Sequence, residues 1–220
     1  MIVPSILSAD LYDLRTQLDA LKAVGMEVVH VDVMDGQFVP NLSFGLPMVH
    51  ALRGHGFKLD VHLMIEKPER YVEEFIEAGA DFLTVHYEAV PRGALAGVLR
   101  EIRAHGAKAG LSLRPDTPVA SVSEFLELCD LLLVMTVPPG FGAQHFDPNG
   151  TSRISEARKL IDELQPECIL EVDGGIDCGT IGAAYAAGAR LFVAGSAVFR
   201  DKALSPANAF VGLAEQAPQV

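Results

Sequence analysis

The sequence has no tryptophan and only three cysteines among its 220 residues. Cys129, Cys168 and Cys178 are too scattered for a disulfide framework or a CxxC zinc site, so we expect three reduced thiols in a cytoplasmic protein. Long apolar runs are also missing, since none approaches the roughly 20 residues that span a bilayer. Residues 1–7 lack the basic segment that opens a secretory signal peptide. We therefore expect no membrane partner.

Basic residues are scarce as well, with 17 Lys and Arg against 29 Asp and Glu, a net charge of −12. Binding to nucleic acid requires clustered positive charge, so the composition argues against a nucleic-acid partner. It does not argue against a small phosphorylated ligand, because backbone amides can hold a phosphate. Hydrophobic residues make up 50% of the chain, enough for a large core.

Eight short segments rich in Val, Ile, Leu and Phe are bounded by turn residues and predict β-strands. Most are apolar throughout, which is typical of parallel strands covered by helices. The predicted strands are residues 2–7, 27–33, 58–64, 82–86, 107–113, 131–136, 169–172 and 191–194.

Apolar stripes at helical spacing separate these strands, and four of them end at a glycine: Gly25, Gly79, Gly106 and Gly188. Eight strand–helix units in this length give about 27 residues each, close to the repeat of a (β/α)₈ barrel. The competing fold is an open doubly wound sheet, but its glycine fingerprint is missing after the first strand. We predict one domain, residues 1–220, folded as a single (β/α)₈ TIM barrel with parallel strands.

Four polar side chains stand at predicted strand ends, where the active sites of such barrels form. Buried polar groups are costly unless they are paired or ligated. Mixed nitrogen and oxygen donors suit Zn²⁺, Fe²⁺, Mn²⁺ or Co²⁺. We predict one divalent metal ion, with Zn²⁺ favoured, held by His30, Asp32, His62 and Asp173. The alternative is that the four residues form a hydrogen-bonded network in the core.

Four further polar residues near these ends each have a more local interpretation. Asp60 lies on the same strand face as His62 and is a candidate to support a metal ligand. His86 is a metal ligand, a substrate contact or a core residue, and the last two are favoured. Ser5 hydrogen-bonds either a ligand or its own backbone. Ser8 is predicted to cap the first helix.

Glycine turns follow the sixth, seventh and eighth predicted strands, and methionines stand near three strand ends. Loops in this part of a barrel commonly hold phosphate through backbone N–H groups, with plain turn geometry as the alternative. Methionine is usually core filler, and the alternative is an apolar cap over a planar intermediate. The residues concerned are Gly140, Phe141, Gly142, Ala143, Gly174, Gly175, Gly195, Ser196, Met34, Met64 and Met135.

Five segments together resemble the ribulose-phosphate 3-epimerase family, in the family's order and over essentially the whole chain. They are PSILSAD at 4–10, HVDVMDG at 30–36 running to FVPN at 38–41, DVHLM at 60–64, VMTV at 134–137 with PGFG at 139–142, and EVDGGI at 171–176. The resemblance implies a (β/α)₈ barrel that interconverts D-ribulose 5-phosphate and D-xylulose 5-phosphate, and it implies a homo-oligomer.

The resemblance also implies roles for individual residues. Asp32 and Asp173 match the acid–base pair of a two-base epimerisation through an enediolate, and both match metal ligands together with His30 and His62. The implied substrate contacts are Ser5, His62, Met34, Met64, Met135, Gly140, Phe141, Gly142, Ala143, Gly174, Gly175, Gly195 and Ser196.

The chain departs from the family pattern in the loop after the sixth strand. Ala143 stands where the family usually has a second glycine, and Pro138 and His145 replace a commoner polar residue and a lysine. A methyl group at position 143 is harmless at negative φ and strained at positive φ.

Three other functions are left open. They are an allulose 6-phosphate 3-epimerase, a metal-assisted aldolase or decarboxylase, and a sugar-phosphate sensor without catalysis. The second usually needs a lysine at a strand end, whereas Lys58 and Lys108 stand at strand starts.

Overall fold

The structure is a computed structural model that describes residues 1–201 and 203–217. Residues 202 and 218–220 of the predicted domain lie outside the described residues. Within the described residues, eight parallel strands form a nearly closed barrel in which chain neighbours pair side by side. The strands are β1 (Ile2–Pro4), β2 (Val28–Met34), β3 (Lys58–Met64), β4 (Phe82–His86), β5 (Lys108–Leu113), β6 (Leu131–Met135), β7 (Ile169–Asp173) and β8 (Leu191–Ala194).

Two contacts of β1 close the ring. Its residues pair in parallel with β8, and a single bridge joins Ser5 to His30 on β2. The predicted parallel barrel is therefore confirmed.

Helices lie between the strands on the outside of the barrel. They are α1 (Leu14–Ala23), α2 (Leu46–Leu52), α3 (Val72–Ala78), α4 (Arg92–Ala104), α5 (Gly150–Leu164), α6 (Ile181–Ala186), α7 (Ser196–Phe199) and α8 (Pro206–Gln216). The connection from β5 to β6 is a 3₁₀ segment, Val119–Leu128, and shorter 3₁₀ turns span Ile6–Ser8, Leu11–Asp13 and Pro68–Arg70. No helix within the described residues is long and apolar enough to cross a membrane.

The glycines predicted to end helices adopt the backbone conformation that this role requires. The φ angles of Gly25, Gly79, Gly106 and Gly188 are 95°, 125°, 93° and 116°. A side chain is rarely accommodated at such angles, so glycine at these positions ends the helix and turns the chain toward the next strand.

The first strand is shorter than predicted, while the other seven agree within one residue at each end. β1 stops at Pro4 because the Ser5 side chain accepts a hydrogen bond from the Leu7 amide, which turns the chain into Ile6–Ser8. The predicted cap at Ser8 is wrong, since Ser8 ends that turn. Asp10 caps the following turn instead, accepting from the Tyr12 amide at 3.0 Å.

Successive side chains of each strand point to opposite faces, so the barrel has an apolar outer face and a partly polar interior. On β2, Val29, Val31 and Val33 belong to the main hydrophobic core, whereas His30 and Asp32 alternate with them. Equally buried polar residues on the other strands are Asp60, His62, Thr84, His86, Ser112 and Glu171. Burial of so many polar groups is costly for stability alone and points to a functional interior.

The three thiols differ in accessibility, and this gives a simple prediction. Cys129 and Cys168 are buried, whereas Cys178 is exposed. Burial raises the pKa of Cys168 to about 12 and also raises that of Cys129, so neither forms the reactive thiolate near neutral pH. We expect a thiol reagent to modify one cysteine in the native protein and three after unfolding. Rapid modification of two or more in the native protein would contradict this assignment.

Candidate active site and metal centre

The ends of β2, β3 and β7 bring together the four predicted metal ligands. Asp32 pairs in register with His62 on the neighbouring strand, and Asp173 ends β7. One ligand atom from each of His30, Asp32, His62 and Asp173 lies within 4.8 Å of the others. The Oδ1 atom of Asp32 is 3.3 Å from His30 Nε2 and 3.5 Å from His62 Nδ1. The four side chains therefore meet at one point, facing one another.

Negative charge surrounds the His30 ring. Its Nδ1 atom lies 2.5 Å from Oδ2 of Asp60, the residue predicted to support a ligand. Burial alone would lower the pKa of His30, but the carboxylates of Asp60 and Asp32 raise it well above its ordinary value. The centre of the cluster consequently favours a positive charge.

The two carboxylates proposed for acid–base work lie in unlike environments. Burial alone would raise the pKa of Asp32, but the charge of His30 and the close approach of the two imidazole rings lower it well below its ordinary value. Burial, followed by the negative charge of Asp32, raises the pKa of Asp173 to about 7. Near neutral pH the pair therefore holds one ionised carboxylate beside another that readily carries a proton.

Two serines fix the position of Asp32. Ser5 Oγ donates to Asp32 Oδ2 at 2.5 Å, and Ser43 Oγ donates to the Asp32 carbonyl at 2.5 Å. Ser5 also accepts from the Leu7 amide, so it binds a side chain and its own backbone at once. The bridge between Ser5 and His30 brings β1 beside β2 and makes the first contact possible.

A pocket opens at this end of the barrel, and most of the predicted substrate contacts line it. His62 does not line the pocket and lies fully buried. The predicted residues that line it are Ser5, Asp32, Met34, Met64, Met135, Gly140, Phe141, Gly142, Ala143, Asp173, Gly174, Gly175, Gly195 and Ser196. Ser8, Gln144 and Ile176 also line the pocket and were not predicted.

The three methionines are buried core residues that also border the pocket. All are at most 4% exposed and belong to apolar clusters, Met34 and Met64 with Val39, and Met135 with the barrel interior. They also line the pocket, so they give it an apolar wall.

Ala143 adopts a positive φ, the strained one of the two conformations considered for it. Its φ angle is 58°, in the left-handed region that glycine occupies without cost. An alanine in this conformation costs about 1–2 kcal/mol. The departure from the family pattern therefore stores strain in the loop that borders the pocket.

Gly175 has a much stricter requirement, and this gives a second prediction. A Cβ atom there would lie 2.2 Å from the backbone N of Phe146 and 2.6 Å from its Cα, at a φ of 65°. We expect Gly175→Ala to lower the free energy of unfolding by clearly more than Gly25→Ala, measured by urea denaturation. Gly25 has a φ of 95° but no atom within 4 Å of its Cβ position, so it reports the conformational cost alone. Equal losses in the two variants would contradict the steric explanation.

His86 belongs to the polar interior and not to the pocket lining. It is fully buried, and its Nε2 atom lies 2.9 Å from Nε2 of His62. Its Nδ1 atom lies 3.2 Å from Oε2 of Glu88. Burial lowers the pKa of His86 to about 4, so the ring is neutral near neutral pH. This position agrees with the interpretation of His86 as a core residue and not as a substrate contact.

Sequence reasoning missed Glu88 and Glu171. Glu88 follows β4 and contacts a histidine of the interior. Glu171 is fully buried, its carboxylate oxygens have no hydrogen-bond partner within the described residues, and burial raises its pKa well above the ordinary value. Its position two residues before Asp173, on the same strand face, is the signal that could have identified it.

Solved structures agree with the fold. A 3-hexulose-6-phosphate synthase from Salmonella typhimurium superposes with a TM-score of 0.72 at 15% identity, covering 98% of this chain and 97% of the other. KGPDC from Streptococcus mutans gives a TM-score of 0.71 at 14% identity, covering 98% and 96%. At these identities the likeness concerns the barrel alone.

Comparison with known sequences identifies the family. The model of the ribulose-phosphate 3 epimerase family matches residues 1–199. A ribulose-phosphate 3-epimerase of Treponema pallidum is 46% identical over 199 residues, which cover 90% of both chains. One from Mycobacterium tuberculosis is 45% identical over 218 residues, covering 99% of this chain and 93% of the relative. One from Bacillus subtilis is 44% identical over 210 residues, covering 93% and 96%. The chain therefore belongs to the ribulose-phosphate 3-epimerase family, whose members are isomerases.

Proposed function

We propose that this protein inverts C3 of D-ribulose 5-phosphate to give D-xylulose 5-phosphate, using Asp32 and Asp173 as a pair of acid–base groups beside a divalent metal ion. The observation that carries the proposal is the convergence of these two carboxylates at the end of the barrel. They come from β2 and β7, lie within 4.8 Å of each other at their ligand atoms, and both line the pocket.

The donor set fits a metal ion. His30 Nε2 and His62 Nδ1 are buried and have no hydrogen-bond partner within the described residues, yet both face the same oxygen of Asp32. Together with Asp173 they offer two nitrogen and two carboxylate donors, a set that suits Zn²⁺, Fe²⁺, Mn²⁺ or Co²⁺. We propose His30, Asp32, His62 and Asp173 as the ligands. An ion held there supplies Lewis-acid stabilisation of the negative charge that develops on the sugar when C3 loses its proton.

Inversion requires the proton to leave from one face of C3 and to return to the other. A single base would restore the original configuration, whereas two carboxylates on different strands can serve the two faces. In one direction Asp32 or Asp173 removes the proton while the other, protonated, delivers one, and the roles exchange in reverse. The unlike environments of the two residues favour one ionised and one protonated member at a time. Ser5 holds Asp32 in place during the transfer.

The rest of the pocket suits the remainder of the substrate. Backbone N–H groups of the glycine turns at Gly142, Gly175 and Gly195 are proposed to bind the phosphate, since uncharged amides can do so in an acidic protein. The buried methionines provide an apolar wall against which the planar enediolate can lie.

Substrate choice is tested by comparing two ketose phosphates of different length. We expect kcat/KM for D-ribulose 5-phosphate to exceed that for D-allulose 6-phosphate, measured by coupled detection of each epimer. A preference for the six-carbon substrate would favour the allulose 6-phosphate alternative. Binding of both sugars without turnover of either, in metal-loaded protein, would favour the sensor alternative.

A further inference from the structure

We infer that Glu88, acting through His86, sets the position of the proton on His62 and so keeps His62 Nδ1 free to bind the metal. Glu88 and His86 are thus positioning residues, and this inference rests on the proposed function. The feature that carries it is an unbroken chain of contacts from Glu88 through two imidazole rings to the ligand cluster.

Glu88 determines the donor–acceptor direction of this series of hydrogen bonds. Its Oε1 atom accepts hydrogen bonds from the Arg114 amide at 2.9 Å and from the Thr117 hydroxyl, while Oε2 faces Nδ1 of His86 at 3.2 Å. An ionised carboxylate can only accept hydrogen bonds. His86 must therefore carry its proton on Nδ1, and its Nε2 atom has a free lone pair.

The lone pair on His86 Nε2 determines which ring nitrogen of His62 carries the proton. The Nε2 atoms of His62 and His86 are 2.9 Å apart, and their rings are inclined by 27°. Because His86 can only accept there, His62 must carry its proton on Nε2. A neutral imidazole has one N–H group, so His62 Nδ1 is unprotonated and has a lone pair available for a metal ion. That atom faces Asp32 Oδ1 at 3.5 Å and has no hydrogen-bond partner within the described residues.

The ring of His86 is held in this orientation from one side. The Phe38 ring lies against it, with ring centroids 4.9 Å apart. The Arg114 guanidinium lies 4.2 Å from the centroid of the Phe38 ring and donates to the Phe38 carbonyl at 2.9 Å. Arg114 also supplies an amide to Glu88, so the same residue anchors both ends of the contact.

Glu88→Gln is the informative variant, because it keeps the shape of the side chain and reverses the chain of hydrogen bonds. Two donors already face the Oε1 position, so the amide oxygen belongs there and the NH₂ group then faces His86 Nδ1. A donor at that point moves the His86 proton to Nε2 and the His62 proton to Nδ1, the atom needed for the metal. A residue that only fills space would tolerate this nearly isosteric change.

The test has two readouts on the full-length protein. Long-range ¹H–¹⁵N NMR of the metal-free protein reports which ring nitrogen of His62 is protonated, and calorimetric titration with Zn²⁺ reports affinity. We expect Nε2–H in the unmodified protein, Nδ1–H in Glu88→Gln, and a Zn²⁺ affinity about 10–100-fold lower in the variant. Glu124→Gln is the matched control, since Glu124 pairs with Arg92 at the surface and should change neither readout.

Other outcomes separate this inference from the proposed function. A proton on Nδ1 in the unmodified protein, or a tautomer or affinity unchanged in Glu88→Gln, would overturn the inference. Failure of the unmodified protein to bind Zn²⁺ or any other divalent metal would overturn the metal part of the proposed function. The NMR result on metal-free protein would still decide the role of Glu88. Should Glu88→Gln fail to fold, the tautomer in the unmodified protein alone decides.

Discussion

Replacing Asp173 with asparagine is expected to lower kcat for epimerisation of D-ribulose 5-phosphate by about 10²–10⁴-fold, the usual contribution of a positioned acid–base group. Asparagine keeps the size of the side chain and an oxygen donor but cannot accept or deliver the proton. Initial rates in both directions, with metal content and circular dichroism measured on the same sample, distinguish a lost proton transfer from lost metal or lost fold. We expect the same class of loss for Asp32→Asn.

Asp19→Asn serves as the control, because Asp19 is exposed on α1 and pairs with Arg15 four residues earlier. This variant should match the unmodified protein within error. If Asp173→Asn retained a near-normal rate with the metal in place, Asp173 would not be one of the two acid–base groups.

Removal of the metal is expected to abolish turnover and to lower the melting temperature. Without the ion, the buried Nε2 atom of His30 and Nδ1 atom of His62 have no hydrogen-bond partner within the described residues, beside the carboxylates of Asp32 and Asp173. A ligand present at 100 times its Kd stabilises the folded state by about 2.7 kcal/mol, so the shift is within reach of thermal unfolding measurements. Activity should return on adding one of Zn²⁺, Fe²⁺, Mn²⁺ or Co²⁺ to the chelated protein.

The control for this experiment is a ligand variant, His62→Ala, whose melting temperature should not respond to chelator or to added metal. Full activity after exhaustive chelation, confirmed by elemental analysis, would contradict the metal requirement.

Much of the architecture and the convergence of the four proposed ligands could be predicted because each depends on short stretches of sequence. Alternation along one strand puts His30 and Asp32 on the same face, and parallel strands in a barrel bring their C-terminal ends to one rim. Those two rules suffice to place His62 and Asp173 beside them, as the structure does.

The remaining features depend on contacts that no local pattern encodes. Ser5 meets Asp32 only because β1 turns early and lies beside β2. His86 meets His62 through strand register, and Glu88 is anchored by residues that follow a different strand. The φ of Ala143 is likewise set by the path of a loop whose residues would permit either sign.

The central claim is inversion at C3 by two carboxylates, and epimerisation in deuterated water tests it most directly. Because the delivered proton comes from a carboxylate that exchanges with solvent, D-xylulose 5-phosphate formed at low conversion should carry deuterium at C3. The unreacted D-ribulose 5-phosphate should carry little, and chelation should abolish incorporation in both sugars. Product that retains the original hydrogen at C3 would contradict the two-base account.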